Sequence, residues 1–212
     1  IDFEDWFHPE LIQKYNATNR NEPKVVKGID KILELLRKND TKATFFVVGE
    51  LLEYKPDLLD KILENEHEIA FHTMKHVRID LPGRKEEFQD EIKRFDKLTK
   101  GRSKGFRAPS FSLNNNSSWL IDALEKNNYK YDSSVVPVKT SMYGMPNAQK
   151  KPYKISGEFL EGNSAQGKII EFPLLVTKFL GKKIPAGGGF YLRTLPLRII
   201  KNAIKSYQND GN

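Results

Sequence analysis

Apolar residues along the chain follow two alternating patterns. From Pro23 to Lys38 they fall three and four positions apart, whereas Ala43–Val48 is a nearly continuous apolar run. The first pattern predicts an amphipathic helix and the second a buried strand of a parallel sheet. Further helical patterns begin at Pro56, Pro82, Asn116 and Leu195. Further strand patterns cover Glu68–Phe71, Gly105–Arg107, Tyr129–Val135 and Lys168–Pro173.

This alternation predicts an α/β fold in which helices cover a parallel sheet, either open or closed into a barrel. The 212 residues fit a single domain, and no internal repeat or linker divides them. Residues 137–167 are rich in Gly, Pro, Ser, Asn and Lys, which predicts a long surface excursion. The chain begins inside a motif and ends at Asp210-Gly211-Asn212, a turn-like sequence, so we expect a domain truncated at both ends.

The amino-acid composition excludes several classes of functional site and binding partner. The chain has no cysteine, which excludes disulfides, thiolate metal sites and a cysteine nucleophile. Its net charge is +7, but no block of like charges stands out, which favours a solvated surface over a nucleic-acid footprint. No apolar run approaches the roughly 18 residues of a membrane-spanning helix.

Two of the four histidines, His72 and His76, follow directly after the predicted strand Glu68–Phe71. Imidazoles four residues apart share one face of a helical turn and can bind one metal ion. Ligands in parallel α/β proteins gather beyond the carboxyl ends of strands, which strengthens this interpretation over two unrelated surface histidines.

Carboxylates crowd the start of the chain, in the sequence Asp2-Phe3-Glu4-Asp5. Three such groups repel one another unless a cation or an arginine neutralises them, although an exposed acidic turn is the simpler alternative. Two histidines and one carboxylate would make a three-ligand metal site with a position open for water. Arg107, after another predicted strand, is either a partner for a carboxylate or an ordinary surface arginine.

Taken together, these motifs resemble the polysaccharide deacetylases of carbohydrate esterase family 4. That family carries an acidic motif, a His-Ser/Thr-x-x-His motif and an Arg-x-Pro motif, in this order. The branch associated with exopolysaccharide and exosortase systems is the most similar. Its motifs match five segments of this chain: Asp2–Phe7, His67–His76, Phe106–Ser112, Tyr131–Ser134 and Gly187–Tyr191.

The resemblance implies a distorted (β/α) barrel of about seven parallel strands and a hydrolase that removes N-acetyl groups from N-acetylglucosamine-type sugars. It implies a divalent metal cofactor, with Zn²⁺ expected, and an acetylated glycan as the substrate. His72 and His76 would be metal ligands, Asp2 the base and Arg107 its positioning residue.

The acidic motif departs from the family's two adjacent aspartates, so its assignment stays open. We expect Asp5 to be the third ligand, with Glu4 able to replace it. Expected substrate contacts, also implied by the resemblance, are Trp6, Pro109, Ser110, Phe190 and Tyr191. Asp132 and Trp119 would help to position Arg107 or line the pocket.

The family also supplies a late histidine as the acid that protonates the leaving amine, but no histidine follows His76. Either the chain ends before that segment, which is what we expect, or the protein is a weakened homologue. His8, close to the acidic motif, is a weaker substitute. Besides the deacetylase, two alternatives stay open: an amidase for another small amide, and a carbohydrate-binding homologue with weakened catalysis. A glycosidase using Asp2 and Glu4 would leave the histidine pair unexplained. We expect no nucleic-acid partner and a cytoplasmic location.

Overall fold

A seven-stranded sheet forms the centre of the protein in the computed structural model, which describes residues 1–13, 15 and 23–209. Its spatial order is β1-β2-β3-β4-β5-β7-β6, and all pairs are parallel except β6 with β7. The strands are β1 Asp2–Phe3, β2 Thr44–Val47, β3 Glu68–Phe71, β4 Gly105–Phe106, β5 Tyr131–Asp132, β6 Tyr153–Ile155 and β7 Ile169–Glu171. A separate antiparallel hairpin is formed by β8 Val176–Phe179 and β9 Lys182–Pro185.

Helices connect and cover these strands. They are α1 Glu10–Gln13, α2 Val25–Lys38, α3 Gly49–Tyr54, α4 Asp57–Glu64, α5 Arg84–Leu98, α6 Trp119–Lys126, α7 Gly189–Thr194 and α8 Leu197–Asn209. Short 3₁₀ turns lie at Pro109–Phe111 and Asn115–Ser117. None of the helices in the described part of the chain is long and apolar enough to cross a membrane.

The architecture confirms the predicted α/β class and distorted barrel, with one difference in strand direction. Only six of the seven strands run parallel, because β6 returns antiparallel to β7 at the edge of the sheet. No pairing joins β1 to β6 among the described residues, so hydrogen bonds do not close the distorted barrel between these two edge strands. The carboxyl ends of the parallel strands therefore lie along one edge, where loops from distant parts of the sequence meet.

Aromatic packing forms the centre of the core on the α5 side of the sheet. The ring of Phe71 on β3 stacks on Phe95 at a centroid distance of 4.4 Å and meets Phe88 and Phe106 at 5.9 and 5.6 Å. All four side chains are fully buried. Each contributes about 1.5–3 kcal/mol by leaving water, so this cluster holds β3 and β4 against α5 and fixes the strand ends that carry the candidate site.

The predicted surface excursion at residues 137–167 is wrong. This stretch contains β6, and Val138, Met145, Tyr153 and Leu160 are buried in it. Its Gly- and Pro-rich composition reflects tight turns between packed apolar residues rather than solvent exposure. The hairpin β8–β9 and helix α3 had no clear periodicity in the sequence. The predicted turn at residues 210–212 lies outside the described residues.

Two glycines should respond in opposite ways to alanine. A Cβ on Gly105 would lie 2.0 Å from Cζ of Tyr131, whose ring packs against Phe46 and Phe172. We expect Gly105→Ala to lower the free energy of unfolding by about 1–3 kcal/mol through overpacking. A Cβ on Gly28, inside α2, would meet nothing within 4 Å. Gly28→Ala should raise the free energy of unfolding by about 0.5–1 kcal/mol.

Denaturant unfolding of the two variants beside the parent protein measures both effects. Equal stability changes of the same sign would contradict the packing assigned to the β4–β5 contact.

Candidate metal centre

Loops that leave four parallel strands bring the candidate residues together at one edge of the sheet. Glu4 follows β1, His72 follows β3, Arg107 follows β4 and Ser133 follows β5. The strands are neighbours in the order β1-β2-β3-β4-β5. Side chains separated by more than a hundred residues in sequence can therefore act on one substrate.

Three side chains converge there as a possible metal site. One ligand atom from each of Glu4, His72 and His76 lies within 4.8 Å of the others. Oε2 of Glu4 is 2.6 Å from Nε2 of His76, and the rings of His72 and His76 have centroids 5.0 Å apart. Both histidines are buried. A carboxylate and two imidazoles are a common ligand set for Zn²⁺.

Backbone carbonyls fix which imidazole nitrogens are available. Nδ1 of His72 lies 2.7 Å from the carbonyl of Arg107, and Nδ1 of His76 lies 3.0 Å from the carbonyl of His8. A carbonyl only accepts, so each Nδ1 carries the proton and each Nε2 keeps its lone pair. Oε2 of Glu4 is buried and receives no hydrogen bond. These facing lone pairs fit a bound cation.

The protonation state of His72 agrees with this interpretation. Burial lowers the pKa of His72 to about 4, against the opposing negative charge of Asp2. The imidazole is therefore neutral near pH 7, which is the form that binds a metal.

The segment between the two histidines is an irregular turn and not the helical turn expected from their spacing. Thr73 and His76 have φ angles of +58° and +56°, which are uncommon for residues other than glycine. The first N–H groups of a helix have no partner within the helix, and in α3 they bind this turn. Gly49 N donates to the Thr73 carbonyl at 3.0 Å, and Glu50 N donates to the Met74 carbonyl at 2.9 Å. This support keeps both imidazoles facing Glu4.

Asp2 and Arg107 form an ion pair beside the three donors. Nη1 of Arg107 donates to Oδ1 of Asp2 at 2.6 Å. Burial alone would raise the pKa of Asp2, but the charges of Arg107 and His72 outweigh it and hold this pKa well below its usual range. Asp2 is therefore ionised at all ordinary pH values.

Arg107 is itself fixed from three sides. Its Nε donates to the carbonyl of Ser133 at 2.9 Å, and its Nη2 donates to the hydroxyl of the same serine at 2.7 Å. That hydroxyl donates in turn to the Phe172 carbonyl at 2.8 Å. The guanidinium lies 3.9 Å from the centroid of the Phe46 ring, a cation–π contact. Arg107 therefore holds Asp2 in one position.

Asp5, the expected third ligand, lies outside the group of three donors, which contains Glu4, the alternative carboxylate, instead. Asp5 is 2% exposed, and its two carboxylate oxygens accept from the backbone N–H groups of Trp6 at 2.8 Å and Val25 at 2.7 Å. The second bond joins the acidic loop to the first residue of α2, where a negative charge is favourable. The side chain of Glu4, and not that of Asp5, lies within 4.8 Å of the two histidine donor atoms.

His8 does not face the site either. Its Nδ1 accepts from the backbone of Asp5 at 2.7 Å, and its Nε2 lies 2.7 Å from Oε1 of Glu50. The side chain is 1% exposed. His8 acts behind the site, where its carbonyl orients His76, and it is not placed to protonate a leaving amine.

A cavity of about 670 Å³ opens over the ion pair, with a floor formed by Asp2, Glu4 and Arg107. Trp6, 43% exposed, forms part of its wall, and its role as a substrate contact stays a prediction. The opposite wall comes from α7 and the preceding glycines, with Gly188, Gly189, Leu192 and Arg193.

The other expected substrate contacts lie outside this lining. Pro109 is buried and Ser110 sits in the adjoining turn with a φ angle of +52°. Phe190 and Tyr191 pack edge to face on α7, with ring centroids 5.2 Å apart. Trp119 packs on Phe88 in the core and does not line the pocket. The four expected contacts at Pro109, Ser110, Phe190 and Tyr191 stay predictions.

Two carboxyl groups lie close together in the core, near the turn whose Ser133 holds Arg107. Asp132 on β5 and Glu171 on β7 are partners in the strand register and are fully buried. Oδ1 of Asp132 accepts from the Ser134 hydroxyl at 2.6 Å, and Oε1 of Glu171 accepts from Val135 N at 3.0 Å. Burial raises the pKa of Asp132 to about 6 and raises that of Glu171 further, because Asp132 repels a second charge.

Asp132 and Glu171 fix the turn at Ser133–Val135, whose first residue binds Arg107. The Ser134 hydroxyl donates to Asp132 and accepts from the backbone N–H of Ala108, the residue after Arg107, at 2.8 Å. The expectation that Asp132 helps to position the arginine therefore agrees with the geometry, through Ser134. The remaining oxygens, Oδ2 of Asp132 and Oε2 of Glu171, have no other donor among the described residues, which fits one proton retained between them.

Comparison with known families agrees with this geometry. The family model described as polysaccharide deacetylase matches residues 21–131, which are 111 of the 212 residues. The chain belongs to the polysaccharide deacetylase family. A second model, a domain of unknown function (DUF3473), matches residues 133–212. The deacetylase match contains His72, His76 and Arg107. Ser133 and Glu171 lie in the second match.

Individual relatives cover shorter parts of this deacetylase-family chain. A peptidoglycan-N-acetylglucosamine deacetylase of Bacillus cereus is 40% identical over 47 residues, which are 22% of each protein. A chitooligosaccharide deacetylase of Sinorhizobium fredii is 34% identical over 56 residues, 26% of each. The matched segments therefore span about a quarter of these curated relatives.

The fold is shared with a solved structure from Mycobacterium smegmatis assigned as a polysaccharide deacetylase. Its TM-score is 0.57 at 19% identity, and the alignment covers 86% of this chain and 58% of that one. At this level of identity the likeness concerns the fold.

Sequence reasoning missed Glu171, Arg193 and the double contact of Ser133 with Arg107. Glu171 gave a usable signal, because it is the one carboxylate inside an apolar strand pattern, Lys168–Pro173. A charged residue in a buried strand needs a partner. Arg193 gave none, since it lies in a short helix whose position depends on the tertiary structure.

The carboxyl pair should make stability depend on pH. The folded protein retains a proton that the unfolded chain releases above about pH 4.5. The free energy of unfolding should therefore fall as pH rises above that value, by up to about 1.4 kcal/mol per pH unit. Glu171→Gln removes this proton, so its stability relative to the parent protein should rise between pH 5 and pH 8.

The measurement is denaturant unfolding of both proteins at several pH values. Because His72 and the other titrating groups are common to both proteins, their contributions cancel in the difference. A pH-independent difference in stability would contradict the shared proton.

Proposed function

We propose that this chain carries the metal-binding and substrate-activating part of an N-deacetylase for acetylated amino sugars in a glycan. The observation that carries the proposal is the convergence of Glu4, His72 and His76 next to the Asp2–Arg107 ion pair. Glu4, Asp2 and Arg107 also line one cavity. Family membership supports the reaction class. The names of the two curated relatives support an N-acetylglucosamine-type sugar.

In this proposal, metal binding, proton transfer and sugar binding are carried out by different residues of the chain. A divalent cation held by Glu4, His72 and His76, with Zn²⁺ expected, would supply Lewis acidity toward the amide carbonyl. Asp2, kept ionised and immobile by Arg107, would accept the proton of the attacking water. Trp6 offers an exposed aromatic face on which a pyranose ring can pack.

The cavity volume favours a glycan over a small amide. About 670 Å³ lies within the range of about 300–1,000 Å³ that encloses drug-sized ligands. An isolated small amide would leave most of this space to water, whereas sugar units on either side of the reacting acetamido group would fill it.

A second candidate is a carbohydrate-binding homologue with weakened turnover. It is favoured by one observation, namely that the described cavity lining holds no histidine that could protonate the leaving amine. Metal binding and glycan binding would then persist without efficient release of acetate.

Metal content tests the ligand set and separates Glu4 from Asp5. Glu4→Gln and His72→Ala should each weaken Zn²⁺ binding by more than about 100-fold, since loss of a supporting residue alone costs 10–100-fold. Asp5→Asn should keep about one Zn²⁺ per chain while lowering the thermal unfolding temperature, because its carboxylate only joins backbone groups. Elemental analysis after dialysis against Zn²⁺ measures the stoichiometry.

The matched control is His67→Ala, which removes a buried histidine from the opposite edge of the sheet. Full metal content in Glu4→Gln together with loss of metal in Asp5→Asn would mean that Asp5, and not Glu4, is the third ligand.

The role of Asp2 is tested by turnover. Asp2→Asn should lower the rate of acetate release from N-acetylglucosamine oligomers by about 10²–10⁴-fold, the usual contribution of a general base. Its Zn²⁺ content should stay at the parent level, because Asp2 is not in the ligand set. Unchanged turnover would exclude Asp2 as the base. Absence of acetate release from the metal-loaded parent, with glycan binding intact, would favour the second candidate.

A further inference from the structure

The surplus of positive charge lies in one part of the chain. From Phe172 to Asn209 the sequence holds five lysines and two arginines and no aspartate or glutamate. The net charge of the whole chain is +7, so the residues before Phe172 are close to neutral. No block of like charges occurs here, but the hairpin β8–β9 with helices α7 and α8 carries the basic surplus.

Some of these basic residues line a groove on the protein surface. Between the hairpin and α8 lies a cavity of about 360 Å³, lined by Lys150, Lys151, Lys178 and Lys183. No carboxylate belongs to the described lining. Two of these lysines come from the segment before β6 and two from the hairpin, so distant parts of the sequence supply the charge.

The lysines repel one another, and no carboxylate of the described residues forms an ion pair with them. Burial lowers the pKa of Lys183, and the charge of Lys150 lowers it further. Lys183 donates to the Pro146 carbonyl at 3.4 Å, and Lys151 donates to the Tyr207 carbonyl with its Nζ 3.7 Å from the ring centroid of the same residue. Carbonyl dipoles orient these ammonium groups but do not offset their charge.

The groove is a site separate from the candidate metal centre, because its lining and that of the larger cavity share no residue. The chain connects them directly, since α7 borders the larger cavity and α8, which begins three residues later, borders the groove. A polymer bound in the groove therefore lies on the same C-terminal part of the protein that walls the reaction site.

We propose that the groove between the hairpin β8–β9 and α8 binds an anionic glycan through carboxylate or phosphate groups on the polymer. Four ammonium groups around one cavity match a repeated negative charge, and the side chains of Asn202 and Ser206 add neutral hydrogen-bonding groups suited to sugar hydroxyls. Identification of the polymer as a glycan rests on the proposed function, whereas the anion site itself rests on the charge and shape of the groove.

Two other polyanions fit the groove less well. Single-stranded nucleic acid binds where bases stack on a row of aromatic side chains, but Tyr207 is the one aromatic residue of the described lining and Lys151 covers its ring. A membrane would contact a convex surface such as the hairpin tip, where Leu180 is exposed, and not the lysines inside a concave groove.

Binding of polygalacturonate, a polymer with one carboxylate per sugar, tests the proposal. The full chain is titrated at low ionic strength, with neutral dextran as the negative control. The double variant Lys150→Gln with Lys183→Gln should bind polygalacturonate at least about tenfold more weakly, since one charge-assisted hydrogen bond is worth about that factor. Release of acetate from a short neutral oligomer should not change.

The matched control is Lys93→Gln with Lys97→Gln on α5, which removes the same charge from positions outside the groove. It should change the affinity by less than about twofold once salt screens distant charges. If the first double variant fails to unfold cooperatively, Lys178→Gln, at an exposed strand position, takes its place with an expected loss of about threefold or more.

Three outcomes would overturn the proposal: equal losses of affinity in the groove and control variants, no binding of polygalacturonate by the parent, or tighter binding of a single-stranded oligonucleotide or of phosphatidylserine vesicles. The test does not depend on turnover. If no acetate is released from any oligomer but the groove variants still lose affinity, the proposed function fails and the anion site stands.

Discussion

Arg107 is the residue on which the arrangement of the candidate site depends. Its guanidinium holds Asp2, and its backbone carbonyl fixes the tautomer and direction of the His72 imidazole. Both contacts come from the first residue beyond β4, so the position of this strand affects the distance between Asp2 and the His72 imidazole. Under the proposed function, a shift of β4 relative to β1 or β3 would disturb proton transfer and metal binding together.

The support of Arg107 extends through the core to the second half of the chain. Ser133 holds the guanidinium, and the turn that contains this serine is fastened by Asp132 and Glu171. A buried pair of carboxyl groups costs stability, and it is tolerated because one proton and several hydrogen bonds reduce its charge. The segment matched by the domain of unknown function thus contributes directly to the site.

The candidate metal centre and the lysine groove carry opposite kinds of charged groups, an arrangement that can bind different parts of one polymer. Carboxylates and imidazoles form the candidate metal centre, whereas the groove between the hairpin β8–β9 and α8 is lined by lysines, with no carboxylate among its described residues. An acidic glycan would be repelled by the acidic loop alone and attracted by the basic groove. Association would then depend on ionic strength, while the chemistry depends on short contacts that salt screens little.

The sequence by itself determined the α/β class, most helix and strand positions of the first 132 residues, and the pairing of a histidine motif with Asp2 and Arg107. These follow from local periodicity and from motifs that keep their spacing. Tertiary structure decided that Glu4 and not Asp5 faces the histidines, because this depends on which carboxylate caps α2. It also decided that residues 137–167 contribute to the core and that the lysines share a groove. Each of these results depends on contacts between residues far apart in sequence, which local patterns do not encode.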